Sequence, residues 1–171
     1  MNSVNAFGIT FPTPPTIVGN WSSLQTQFQT GGVPNTPTAI SFNTIEYESS
    51  GRYITIRNGS QITALRKGIY LLGFSLQIDQ TTGGTSTCDF WLRKNGSNVP
   101  RTASSITITG QSQETFPFFG TMLDMEANDY IQLMFASSTP SLSITYFPAL
   151  TTPYIRPEVP SIIAYAYRVQ A

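Results

Sequence analysis

The chain has 171 residues, 40% of them hydrophobic and 12% aromatic but only 11% charged, and 9 basic residues balance 9 acidic ones. That length fits one domain, and the balance leaves no electrostatic footprint for nucleic acid or an anionic membrane. With no histidine the chain lacks the commonest general base and transition-metal ligand, and with one cysteine it lacks an intrachain disulfide and any multi-cysteine zinc site.

In chain order, residues 1–20 stand apart. The run Thr10-Phe11-Pro12-Thr13-Pro14-Pro15-Thr16 cannot form a helix interior or a central strand. Met1–Asn20 therefore reads as an extended proline-rich arm, with no basic start or long apolar stretch to make it a secretory signal. Phe7, Ile9 and Phe11 are its candidate tether residues, able to lie on a partner. Residues 21–171 form the domain.

From Trp21 onward no segment has helical periodicity, and no apolar run approaches the roughly 18 residues of a membrane span. Short β-branched and aromatic runs alternate with turn residues instead. The expected strands are Leu24–Thr30, Ala39–Tyr47, Tyr53–Arg57, Gln61–Ala64, Gly68–Ile78, Thr87–Lys94, Ser105–Thr109, Thr115–Leu123, Tyr130–Phe135, Ser141–Tyr146 and Ser161–Val169. Asn58-Gly59 and Asn95-Gly96 suit tight turns with positive φ. Many short strands with regular turns imply a sandwich or jelly roll.

Alternation assigns faces. Tyr70, Leu72, Phe74, Leu76 and Ile78 share one side of their strand; Cys88, Phe90 and Leu92, and Ile131, Leu133 and Phe135, do the same on theirs. The opposite faces still carry Ile69, Leu71, Trp91, Tyr130 and Met134, which is too apolar for open solvent and points to a further interface. Cys88 reads as a small buried hydrophobe. The carboxylates show no spacing that singles out a catalytic pair, and serine without histidine lacks its usual base. Asp124, Glu126 and Asp129 form a small acidic cluster whose order does not match a calcium-binding loop.

Three segments carry a resemblance. Lys67-Gly68-Ile69-Tyr70-Leu71-Leu72-Gly73-Phe74 resembles the "G-x-Y" central strand of the C1q/TNF-like jelly roll, Phe90-Trp91-Leu92-Arg93-Lys94-Asn95-Gly96 the following strand and its turn, and Leu123–Leu133 the "L-x-x-G-D-x-I-x-L" segment, with Asn128 at the usual glycine. The reading Trp91–Gly96 and the stretch Pro157–Ile163 are similar to a viral branch found in phage and large-virus structural proteins. The resemblance implies an all-β, ten-strand antiparallel jelly-roll sandwich that forms a homotrimer around a threefold axis. On that axis it implies Tyr130, Gln132 and Met134, with Tyr165 and Tyr167 as neighbours.

The function implied is that of a virion structural protein, a capsid decoration, minor capsid or short spike protein at the particle surface. It would act by assembly with itself and with other capsid or virion proteins, not as an enzyme, and without cofactor or metal. The alternative is a receptor-binding head of a viral fibre, contacting host glycan or protein through outer loops that include Tyr146, Phe147 and Tyr154.

Overall fold

The computed structural model describes residues 16–49 and 53–170. In chain order the strands are β1 (Thr16–Ser23), β2 (Thr38–Ala39), β3 (Thr44–Glu48), β4 (Ile54–Arg57), β5 (Gln61–Ala64), β6 (Gly68–Gln80), β7 (Thr85–Lys94), β8 (Ser97–Asn98), β9 (Ser104–Thr109), β10 (Ser112–Met125), β11 (Tyr130–Ser137), β12 (Leu142–Ile144) and β13 (Ile162–Gln170). They build two antiparallel sheets. The first runs β10-β6-β13-β1-β3, with β12 beside β6; the second runs β4-β5-β11-β7, with β8 and β9 on β7 and β2 on β11. This is the all-β jelly-roll sandwich expected from the alternation. Apart from the two- and three-residue β2, β8 and β12, the strands match the ten-strand pattern.

The core forms where the alternating faces meet. Tyr70, Leu72, Phe74, Leu76 and Ile78 from β6 pack with Cys88, Phe90 and Leu92 from β7 and Ile131, Leu133 and Phe135 from β11, all essentially without solvent exposure. The Phe90 and Phe135 rings stack with centroids 6.5 Å apart. The tight turns take the expected backbone: Asn58, Gly59, Asn95 and Gly96 all have positive φ, and so does Asn128 at the position where the resembled family has glycine.

Three expectations shift. The arm was expected to run to Asn20, but Thr16–Ser23 is a full strand between β13 and β3, and Val18 and Trp21 are fully buried. Burial of Val18 and Trp21 in a strand bulged at Ile17–Gly19 and Asn20–Trp21 overrides the preceding prolines there. Phe7, Ile9 and Phe11 lie outside the described residues. Leu24–Thr30, expected as a strand, keeps one bridge, Gln27 to Ile144, and ends in a 3₁₀ turn at Thr30–Gly32. Its glutamine amides replace the ladder: Gln27 Oε1 accepts the Ser41 N–H (2.7 Å) while its Nε2 donates to the Ser41 carbonyl (2.9 Å), and Gln29 Oε1 accepts the Ser137 N–H (2.9 Å). Ala39–Tyr47 divides, β2 joining the second sheet and β3 the first.

Two carboxylates fasten distant segments. Glu48 Oε1 accepts the buried Trp21 indole N–H (2.7 Å) and the Ile56 N–H (3.1 Å), and Oε2 accepts the Thr55 hydroxyl (3.0 Å). One side chain thus joins β1 and β3 of the first sheet to β4 of the second. Asp129 joins the two turns of the resembled motifs. Its Oδ2 pairs with Lys94 Nζ (2.7 Å) and accepts the Glu126 N–H (2.8 Å), its Oδ1 accepts the Asn95 side-chain amide (2.6 Å), and Asn95 Oδ1 accepts the Tyr130 N–H (2.9 Å). The Lys94 hydrogen bond, helped by the Asn95 amide and the Glu126 N–H against the cost of burial, holds the Asp129 carboxyl down at about 2.

Replacing Glu48 with alanine leaves the buried indole N–H without an acceptor, so chemical denaturation is expected to show a loss of about 1–3 kcal/mol, with less lost in Glu48→Gln, which keeps a carbonyl oxygen. Because the folded pKa of Asp129 lies below its ordinary value of 3.8, its contribution is complete above that value and is lost as pH falls through about 2. Asp129→Asn is therefore expected to be less stable than wild type at neutral pH, with the difference closing in denaturation curves taken toward pH 2.

Candidate oligomerisation face

A strand in a two-layer sandwich sends alternate side chains into the core and out of the fold. In β6 the outward set is Ile69, Leu71, Gly73, Ser75 and Gln77, with Asp79 at its far end, and the ladder places its neighbours. Tyr167 lies opposite Leu71 on β13, Met122 opposite Leu71 on β10, and Ile17 opposite Tyr167 on β1. Ile17, Tyr167, Leu71 and Met122 thus form one row across four strands. The adjacent row runs Tyr47, Asn20, Tyr165, Gly73 and Gly120. Ile163, opposite Ser75, extends the apolar character along β13.

No charged residue stands in either row. Exposure is high for such side chains: Met122 64%, Tyr47 49%, Ile17 46% and Ile163 40%. The aromatic part is ordered within the chain. Tyr165 and Tyr167 meet edge to face, with centroids 5.6 Å apart. The Tyr165 ring also lies on the bare backbone of Gly73, where an added Cβ would come within 2.3 Å of it. Burial pushes the Tyr165 hydroxyl upward in pKa, so it stays neutral across the physiological range. The result is an uncharged, largely apolar pair of rows of the kind that interfaces bury.

The residues expected around an axis divide between the two outer faces of the sandwich. Tyr165 and Tyr167 belong to the apolar face of the first sheet. Tyr130, Gln132 and Met134 lie together on the outward face of the second sheet, across the core from them, beside Thr63, Arg93 and Trp91 respectively. Met134 is only 2% exposed, and Gln132 Nε2 donates to Ser60 Oγ (2.9 Å). Sequence reasoning did not pick out Ile17, Tyr47, Met122 and Ile163. The signal was there for Ile163, which alternates with Tyr165 and Tyr167; Ile17 was hidden by its assignment to the arm.

The acidic cluster is engaged by the protein itself. Asp129 serves the turn described above and Glu126 pairs with Lys67. Among the described residues no group of three or more acidic, histidine or cysteine side chains could hold a metal ion.

No family profile and no curated protein sequence matches the chain. Among solved structures it is similar to murine APRIL in crystals at pH 5.0 and pH 8.0. Sequence identity is 10% and 11%, with TM-scores of 0.52 and 0.54, over 89% of this chain and 98% of that chain. Likeness at that identity is a likeness of fold, and the fold of this chain is a TNF-like jelly roll.

Proposed function

We propose that the chain is a homotrimeric structural protein of a virus or phage particle, assembled through the outward face of its first sheet and acting by assembly rather than catalysis. The observation that carries the reading is the uncharged row Ile17, Tyr167, Leu71 and Met122. Each large apolar side chain moved from water into such an interface contributes on the order of 1.5–3 kcal/mol before the costs of association. A closed homo-oligomer is the simplest assembly that covers the same face on every copy. Three copies accord with the C1q/TNF-like resemblance and the TNF-like fold. The particle origin is supported by the reading Trp91–Gly96 and by Pro157–Ile163. In this account residues 1–15, with Phe7, Ile9 and Phe11, tether each subunit to a neighbouring capsid or virion protein.

A second reading, a head that recognises a host surface, is favoured by the connection between β12 and β13. Bridges between Phe147 and Val159 and between Leu150 and Arg156 shape it into a narrow projection, with Tyr154 and Ile155 61% and 88% exposed at its end.

Light scattering on a gel-filtration column is expected to give a mass near three times 18.8 kDa. Met122→Asp is expected to yield a folded monomer, whereas Tyr130→Asp keeps the wild-type mass. A monomeric wild type, or a trimeric Met122→Asp, would overturn the interface. Truncation should stop at Pro15, because β1 begins at Thr16. A chain lacking residues 1–15 is expected to remain a trimer and to drop out of purified particles; undiminished incorporation would sink the tether.

A further inference from the structure

The outward face of the second sheet differs from the first in chemistry and in shape. Beside β7, under the loop from Asn98 to Ser105, lies an open pocket of about 430 Å³, lined among others by Asp89, Trp91, Asn98, Arg101, Ser104 and Ser105. That volume is in the small-molecule range of about 300–1,000 Å³.

The walls are fixed before any ligand arrives. Trp91 Nε1 donates to Asn98 Oδ1 (2.9 Å), which sets the plane of the indole and leaves the Asn98 amide N–H groups as donors. The loop is pinned to β7 by Thr102, a buried residue whose hydroxyl donates to the Val99 carbonyl (2.8 Å) and accepts the Leu92 N–H (3.1 Å). Arg101, next to it, is held at φ 62°, a left-handed backbone that arginine seldom adopts. Among the described residues the Asp89 carboxylate and the Arg101 guanidinium make no ion pair or hydrogen bond. An aromatic wall therefore stands among an uncommitted carboxylate, an uncommitted guanidinium, an amide and two hydroxyls.

We propose that this pocket binds a neutral hexopyranose, such as one residue of a glycan chain. The C–H face of a pyranose is apolar and matches an indole surface. Its adjacent hydroxyls can donate in pairs to the two oxygens of Asp89, and its oxygens can accept from Arg101 and Asn98. An acidic sugar or a phosphorylated ligand would bring its charge against Asp89, with a single guanidinium to offset it. The site lies on a different element from the projection at Tyr154 and opens on the face opposite the apolar rows, so it stands or falls independently of the trimer and of that projection.

The test is titration of the full-length protein with methyl α-glucoside, methyl α-mannoside, methyl β-galactoside and N-acetylneuraminic acid, followed by the two indole N–H resonances in ¹H–¹⁵N spectra. Trp21 is buried and bonded to Glu48, so it serves as the internal reference. A neutral glycoside is expected to shift the Trp91 resonance and not that of Trp21, with a dissociation constant on the order of millimolar. Asp89→Asn, which keeps the side-chain shape, is expected to weaken binding about tenfold, equivalent to about 1.4 kcal/mol. Followed instead by the backbone N–H resonances of Asn98 and Arg101, Trp91→Phe should retain part of the affinity, and a natively folded Trp91→Ala should lose it. No shift with any neutral glycoside, response to N-acetylneuraminic acid alone, or equal binding by Asp89→Asn would overturn the assignment.

Discussion

The first sheet is apolar on both sides, and a two-layer sandwich can cover only one of them. The inner side, led by Tyr70, Leu72, Phe74, Leu76 and Ile78, is closed by the second sheet. The outer side, with Ile17, Leu71, Met122, Ile163 and Tyr167, has no third layer among the described residues. Water meets large side chains there that a solvated sheet would replace with polar ones. The physical demand is for a second surface of the same kind, and identical copies supply it most directly. The Gly73–Tyr165 contact sharpens this view, since the ring occupies the space that any side chain at residue 73 would need.

A chain with so few charges must satisfy its buried polar groups by other means, and here single side chains bridge segments far apart in sequence. Glu48 serves an indole, a backbone amide and a hydroxyl at once. Gln27 and Gln29 stand in for a strand ladder, and Thr102 clamps a loop onto β7. Each such group is costly to orphan, because a buried donor without an acceptor keeps its full desolvation penalty. The same bonds give a protein with many hydroxyls and amides one conformation where weaker contacts would leave several.

How much of this was legible in the sequence depends on the range of the interactions involved. The long strands β6, β7 and β11 were readable because their core faces alternate without interruption, and the Asn-Gly turns because their backbone need is local. Leu24–Thr30 was misread as a strand because its amides find partners such as Ser41 and Ser137, which nothing local announces. The strand at Thr16–Ser23 was hidden for the opposite reason: the prolines are a local signal against it, while Val18 and Trp21 share the core only through bulges that break the two-residue alternation. Which outward residues share one face is settled at a higher level. Alternation shows that Tyr130 and Tyr165 each point away from the core. Which sheet each strand joins is fixed by long-range pairing, and that pairing put them on opposite sides.

The same partition explains why the two outer faces suit different work. Across the first sheet the central rows are uncharged and rich in large apolar side chains, which favours burial against a like surface. The second sheet instead carries Asp89 and Arg93 on its outward side, keeps Met134 covered, and is cut by a pocket with unpaired polar groups. Such a face loses more by being buried than it gains, because each charge would need a partner in the interface. It keeps its contact with solvent at little cost and can present the pocket outward while the apolar face is closed. The proposed assembly on one side and recognition on the other rest on one asymmetry, charge at the middle of the outward face of β7 against its confinement to the Asp79 end of the outward face of β6.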